Sequence, residues 1–135
     1  MKKIKLIYGI LITLIILTSC SNNDDGNSNN NSNIEFNPPA WIQGVWFNQN
    51  STSGYKFTSN DIIRLNLDEN NNIIGEDSRK EYWSLFDDAY LLESSSENLY
   101  KAVIEMDGNE YEYNEFNKIS EDTMILGTSL TWIKQ

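Results

Sequence analysis

Histidine is absent from the 135 residues, and Cys20 is the only cysteine. A Ser-His-Asp triad, a Cys-His pair and any His- or Cys-ligated zinc centre within a folded domain are therefore excluded by counting. What remains for chemistry is carboxylate and aromatic. Asp68-Glu69-Asn70-Asn71-Asn72 sets oxygen donors side by side, as calcium loops do. Counted from Asp68, however, the sixth place holds Ile73 where glycine is needed, and the twelfth holds Arg79 where a bidentate glutamate is needed. A solvated turn is expected there, and no metal. No pair of acids is flanked by residues that would raise one pKa for glycoside hydrolysis, so neither an enzyme nor a cofactor is expected. Trp83, Phe86, Tyr90, Tyr100, Tyr111 and Tyr113 offer flat apolar faces with polar edges, which suit either a core or a ligand site.

Cys20 has chemistry of its own. Met1 to Lys5 is cationic, and the uncharged apolar run from Leu6 to Leu17 follows it. As a helix of about 12 residues that run reaches only ~18 Å, short of the ~30 Å hydrocarbon core, so it reads as an export signal and not as a span. Leu17-Thr18-Ser19-Cys20 resembles the lipobox of bacterial lipoproteins. The resemblance implies removal of residues 1–19 and a thioether-linked diacylglyceryl group on Cys20. Several acyl chains, palmitate among them, would then anchor the protein stably in a membrane. Ser21 stands where an aspartate would retain a lipoprotein at the inner membrane, so the resemblance places the anchor in the outer membrane. The acidic pair Asp24-Asp25 is similar to the surface-export signal of Bacteroidota lipoproteins, which implies exposure at the cell surface.

Charge narrows the partners. The chain has 10 Lys and Arg against 20 Asp and Glu, a net of −10. Lys2, Lys3 and Lys5 belong to the leader, so beyond it seven cations face the same 20 acids, a net of −13. Such a surface lacks the basic stripe that neutralises phosphates, and nucleic acid is not an expected partner. A basic protein is the partner that the charge would attract.

Residues 20–37 are dominated by Asn and Ser, with Ile34 and Phe36 as the only apolar side chains after Cys20. They read as a disordered tether behind the lipidated cysteine. Pro38-Pro39 marks the boundary, and 38–135 is a single β domain. Short runs rich in aromatic and β-branched residues predict strands over Trp41 to Asn48, Tyr55 to Thr58 and Ile62 to Asp68. Asp107-Gly108 predicts a hairpin between Tyr100 to Met106 and Glu110 to Phe116. In that hairpin Tyr100, Ala102, Ile104, Met106, Tyr111 and Tyr113 are expected on an apolar face, with Glu110 and Glu112 on the charged one. Met124 to Leu126 and Leu130 to Lys134 predict a last pair. Between Ser78 and Leu92, Trp83, Phe86 and Tyr90 recur at spacings of three and four, which predicts a short helix, and Ser94 to Ser96 a loop.

Gly44-Val45-Trp46 at the first strand and Leu130-Thr131-Trp132-Ile133-Lys134 at the last together resemble the lipocalin-like lipoproteins of Bacteroidota. In that family the signature tryptophan closes one end of a barrel and a cation of the final strand packs over it. The resemblance implies these roles for Trp46 and Lys134, with Gly44 as the glycine of the signature. The Thr-Asp-Tyr box of lipocalins is missing, Lys134 stands in place of Arg, and the domain is short for eight full strands. The implied fold is mainly β: a small antiparallel lipocalin-like barrel, partly open, with one short helix. Its implied function is a binding module for an apolar molecule or a glycan, with Trp83 and Tyr90 as candidate ligand contacts at the barrel mouth. The alternative from a different class is an acidic interaction or inhibitor module that neutralises a basic partner such as a lysozyme.

Overall fold

The computed structural model describes residues 34–135, so the leader, Cys20 and most of the expected tether lie outside the described residues. The strands in chain order are β1 (Gly44–Asn48), β2 (Ser53–Phe57), β3 (Ile62–Leu67) and β4 (Ile73–Ser78). Helix α1 (Arg79–Trp83) follows, and then β5 (Tyr90–Ser95), β6 (Leu99–Met106), β7 (Asn109–Lys118), β8 (Thr123–Leu126) and β9 (Leu130–Lys134). Among the described residues these nine strands make one antiparallel sheet in the order β4-β3-β2-β1-β9-β8-β7-β6-β5, curled into a half-barrel. A mainly β, partly open antiparallel barrel with one short helix is the fold expected, and it is the fold observed.

Local chemistry explains the turns. Asp107 and Gly108 both have positive φ, 51° and 74°, the requirement of a two-residue turn whose twist matches the flanking strands. Ladder partners share a face of the sheet, so the register sorts the side chains. Trp46 lies opposite Tyr55 and Lys134, Tyr55 opposite Arg64, and Tyr100 opposite Phe116, all on the concave side. The half-barrel is filled by its own rings. Phe57 meets Phe116 edge-on at 5.0 Å, Tyr55 meets Trp132 at 5.0 Å, and Trp46, Tyr100, Phe116, Ile62 and Met124 are fully buried. Each large side chain of this kind contributes about 1.5–3 kcal/mol through burial.

Ile34 and Phe36, expected in the tether, are buried in this core together with Ile42. The Asn37 amide donates to Glu93 at 2.8 Å, and Trp41 Nε1 donates to the Ser96 carbonyl at 3.2 Å. Residues 34–37 thus lie along β5, Ile34 beside Ala89 to Leu91 and Asn37 at Glu93, residues 38–43 reach the end of the half-barrel at Ser96, and the folded unit starts earlier than Pro38. The reason is local: two apolar residues at a spacing of two in an otherwise polar segment are enough to dock an extended strip.

The helix expected over Ser78 to Leu92 is confined to Arg79–Trp83. Ser78 caps it by accepting from Glu81 N at 3.0 Å, and the chain then continues in tight turns through Phe86 to Ala89. Tyr90 already belongs to β5, which also takes in Ser94 and Ser95 where a loop is expected. β4 has no counterpart in the sequence reading. Both β4 and β5 are edge strands without a buried residue, so neither carries the one-sided apolar alternation that marks a strand.

Candidate functional site

In this up-and-down sheet the turns after β1, β3, β6 and β8 gather at the end opposite residues 38–43. That open end holds a polar layer. Register puts Glu112 on the concave face of β7, where its carboxylate is almost fully buried. It accepts from Arg79 Nε at 3.0 Å, Trp83 Nε1 at 2.7 Å, Asn114 Nδ2 at 2.9 Å and Arg64 Nη2 at 3.1 Å. Arg79 Nη2 adds a further ion pair to the same oxygen as the indole. Arg79 also pairs with Asp77 at 3.0 Å and lies over the Tyr82 ring at 4.7 Å. The layer therefore ties β3, β4, α1 and β7 together across the interior.

Burial by itself would push Glu112 up, but the hydrogen bonds from Arg79, Asn114 and Trp83 and the Arg79 charge outweigh it and hold the carboxyl below the usual glutamate range. Burial likewise works against the Arg79 charge, and Glu112 and Asp77 raise it nonetheless. An ionised carboxylate with this many donors stabilises and orients; it is the opposite of the raised carboxyl that a general acid requires.

Beside this layer lies a cavity of about 100 Å³ lined by Ser53, Tyr55, Arg64, Asn66 and Trp132. A second concavity, a groove of about 210 Å³, lies on the convex face of β5 and β6, lined by Leu92, Lys101, Val103, Glu105 and Glu110. Tyr90, Leu92 and Tyr113 stand about half exposed around Val103, which lies opposite both Leu92 and Tyr113. The Tyr90 hydroxyl donates to Glu105, the Tyr113 hydroxyl donates to Glu115 at 2.5 Å, and Lys101 Nζ lies 4.8 Å from the Tyr113 ring centroid.

The structure does not bring Trp83 and Tyr90 to one surface. Trp83 is buried among the core rings and bound to Glu112, while the register of Tyr90 with Glu105 puts it on the convex face. At the covered end, Trp46 is buried with Nε1 donating to the Ile42 carbonyl at 2.6 Å, and Lys134 Nζ is 5.3 Å from its ring centroid. Gly44 has φ 122°, a conformation that favours glycine, and a Cβ there would come within 2.9 Å of Lys134 Cε and push the end of that side chain aside. Cys20 lies outside the described residues. Asp68 accepts from Asn70 N, Asn72 N and Asn72 Nδ2, each at 2.8 Å, so the turn's own amides occupy both of its oxygens.

Arg64 and Glu112 are not singled out as site residues by sequence, whereas Tyr113 is among the aromatics offered for a core or a ligand site and Trp132 belongs to the last-strand motif. The face expected for Glu112 and Tyr113 is reversed, because the β6–β7 register shifts between Ile104 and Glu105 and leaves Tyr111 without a ladder partner. Counting back by twos from the buried Phe116 reaches Asn114 and Glu112, and that is the signal available in the sequence. In comparisons with known proteins, no family model, no curated protein and no solved structure matches the chain.

Proposed function

We propose that the protein is a bacterial lipoprotein, anchored in the outer membrane through acyl chains on Cys20 and exposed at the cell surface, whose lipocalin-like domain binds a glycan. The observation that carries the glycan is the convex platform of Tyr90, Leu92 and Tyr113 around the Val103 groove. Sugar rings present apolar C–H faces to aromatic rings and hydroxyls to polar neighbours, and here Lys101, Glu105 and Glu110 supply those neighbours beside the rings. The concave side offers an apolar molecule little, since Tyr55, Phe57, Phe116 and Trp132 already occupy it.

Calorimetric titration with neutral oligosaccharides tests the reading. Binding by the wild type that is lost in Tyr113→Ala and Leu92→Ala supports it, and identical binding by both variants overturns it. Replacing Cys20 by Ser should release the protein from membranes; intact-mass analysis showing an unmodified Cys20 would contradict the anchor.

The acidic-module reading keeps one specific support. Each of the seven cations among the described residues faces an acid or a ring, as Lys56 does Glu76 and Lys101 does Tyr113. The open end meanwhile carries Asp68, Glu69, Asp87, Asp88, Glu105, Asp107 and Glu110, with no Lys or Arg in its turns. A basic partner held there would be lost steeply as salt rises, whereas a stacked glycan would not.

A further inference from the structure

Among the carboxylates of the convex face, one cross-strand pair lacks a counter-charge. Glu105 and Glu110 are direct ladder partners on β6 and β7, beside the point where the register shifts, and both line the Val103 groove. Glu105 accepts from the Tyr90 hydroxyl with one oxygen, and the Glu110 carboxylate accepts no hydrogen bond among the described residues. Neither joins an ion pair among those residues. Like charges set directly opposite each other destabilise a sheet, and a cation from outside would relieve that cost.

The lysine of the groove does not supply that cation. Lys101 stands four residues before Glu105 on β6, ~13 Å along the strand at ~3.3 Å per residue. It shares a row with Ser94 and Glu115, and its ammonium lies over the Tyr113 ring. Hydrogen bonds from Tyr113 and Asn117, followed by the Lys101 charge, hold the Glu115 carboxyl below the usual glutamate range, so the lysine answers the acid at its own end. The groove thus runs from a balanced end at Lys101, over the apolar row of Leu92, Val103 and Tyr113, to an uncompensated anionic end at Glu105 and Glu110.

We infer that the groove selects a glycan carrying a protonated amine, an amino sugar whose nitrogen is not acylated. The inference rests on the glycan reading above and names the class of glycan. A sugar ring over the Val103 row is two residues from the Glu105 row, ~6.6 Å, a distance that a ring substituent and one hydrogen bond bridge. An ammonium there brings three donors to two carboxylates with free lone pairs, and the resulting hydrogen bonds are charge-assisted. The Tyr90 ring, half exposed in the same row as Glu105, adds an aromatic face for the cation. A hydroxyl or an acetamido group in that place answers neither negative charge, and an acidic sugar is repelled.

Two trisaccharides, one of glucosamine and one of N-acetylglucosamine, share a ring geometry and differ in charge. Calorimetric titration of the full chain at mildly acidic pH and low salt should show the glucosamine trimer binding about tenfold tighter, an advantage that fades as salt rises. Glu110→Gln, at an exposed position, should cut the advantage roughly threefold, and Glu105→Gln combined with it should abolish the advantage without lowering the melting temperature, because a like-charge pair is removed. Tyr113→Ala should weaken both trimers alike. Equal affinity of the wild type for the two trimers overturns the amine and leaves the glycan reading standing, and binding of neither overturns both. An advantage that survives Glu110→Gln undiminished overturns the inference, as does trilysine binding as tightly as the glucosamine trimer, which would show attraction by charge alone.

Discussion

Trp46 and Lys134 face each other directly across the β1–β9 ladder, and the lysine ammonium lies 5.3 Å from the centre of the indole. The two halves of that contact differ in weight. Trp46→Ala empties a fully buried site and should cost about 3–5 kcal/mol. Lys134→Met keeps most of the packing stem and removes a cation–π contact, which should cost about 0.5–1 kcal/mol. Urea unfolding of both variants checks the ratio, and a melting temperature nearly unchanged by Trp46→Ala would remove the closing role assigned to that ring.

Glu112→Gln should destabilise the domain by about 3 kcal/mol at pH 7, because it takes the charge from a buried pair and leaves Arg79 only half answered. The sign of the pH dependence follows from the direction of the shift. A glutamate held below its ordinary value of ~4.3 contributes fully above that value and loses the contribution as pH falls through its lower folded value. Wild type minus Glu112→Gln stability should therefore be flat from pH 7 to 5 and shrink below about pH 4. Thermal unfolding across that range provides the measurement; a difference that grows in acid would show that the carboxyl is protonated in the folded state.

The convex platform should be separable from folding. Tyr113 and Leu92 are half exposed, so Tyr113→Ala and Leu92→Ala should each shift the melting temperature by no more than about 3 °C. A large drop would mean that these side chains shield Val103 as part of the structure and do not form a recognition surface.

Exhaustive removal of divalent ions should leave the melting temperature unchanged. Asp68 is already saturated by the amides of Asn70 and Asn72, and those hydrogen bonds, led by the Asn72 side chain, keep its carboxyl below the usual aspartate range. Stability lost in chelator and restored by calcium would show that the loop binds a cation in place of its own amides.

How far the fold was legible depends on how local each signal is. Asp107-Gly108 is readable because positive φ selects its residues on the spot, and β6 because Tyr100, Ala102 and Ile104 put an apolar residue at every second position. β4 is not, since Ile73, Ile74, Glu76 and Asp77 are all exposed on an edge and obey no buried period. The polar layer was hidden for a different reason. Glu112 faces inward because Arg64, Arg79 and Trp83 reach it from 48, 33 and 29 residues away, and no window along the chain contains those partners together. Trp83 was visible as an aromatic of consequence, but its partner decides whether it plugs the barrel or covers it.

β9 comes last of the strands along the chain yet stands fifth of nine across the sheet, joining β1 on one side to β8 on the other. Every other pairing links strands that follow one another in sequence, so two partial sheets can zip locally while remaining unjoined. Chain emerging N-terminus first from a ribosome cannot unite them until residues 130–134 are free. The centre of the sheet is the last part to arrive.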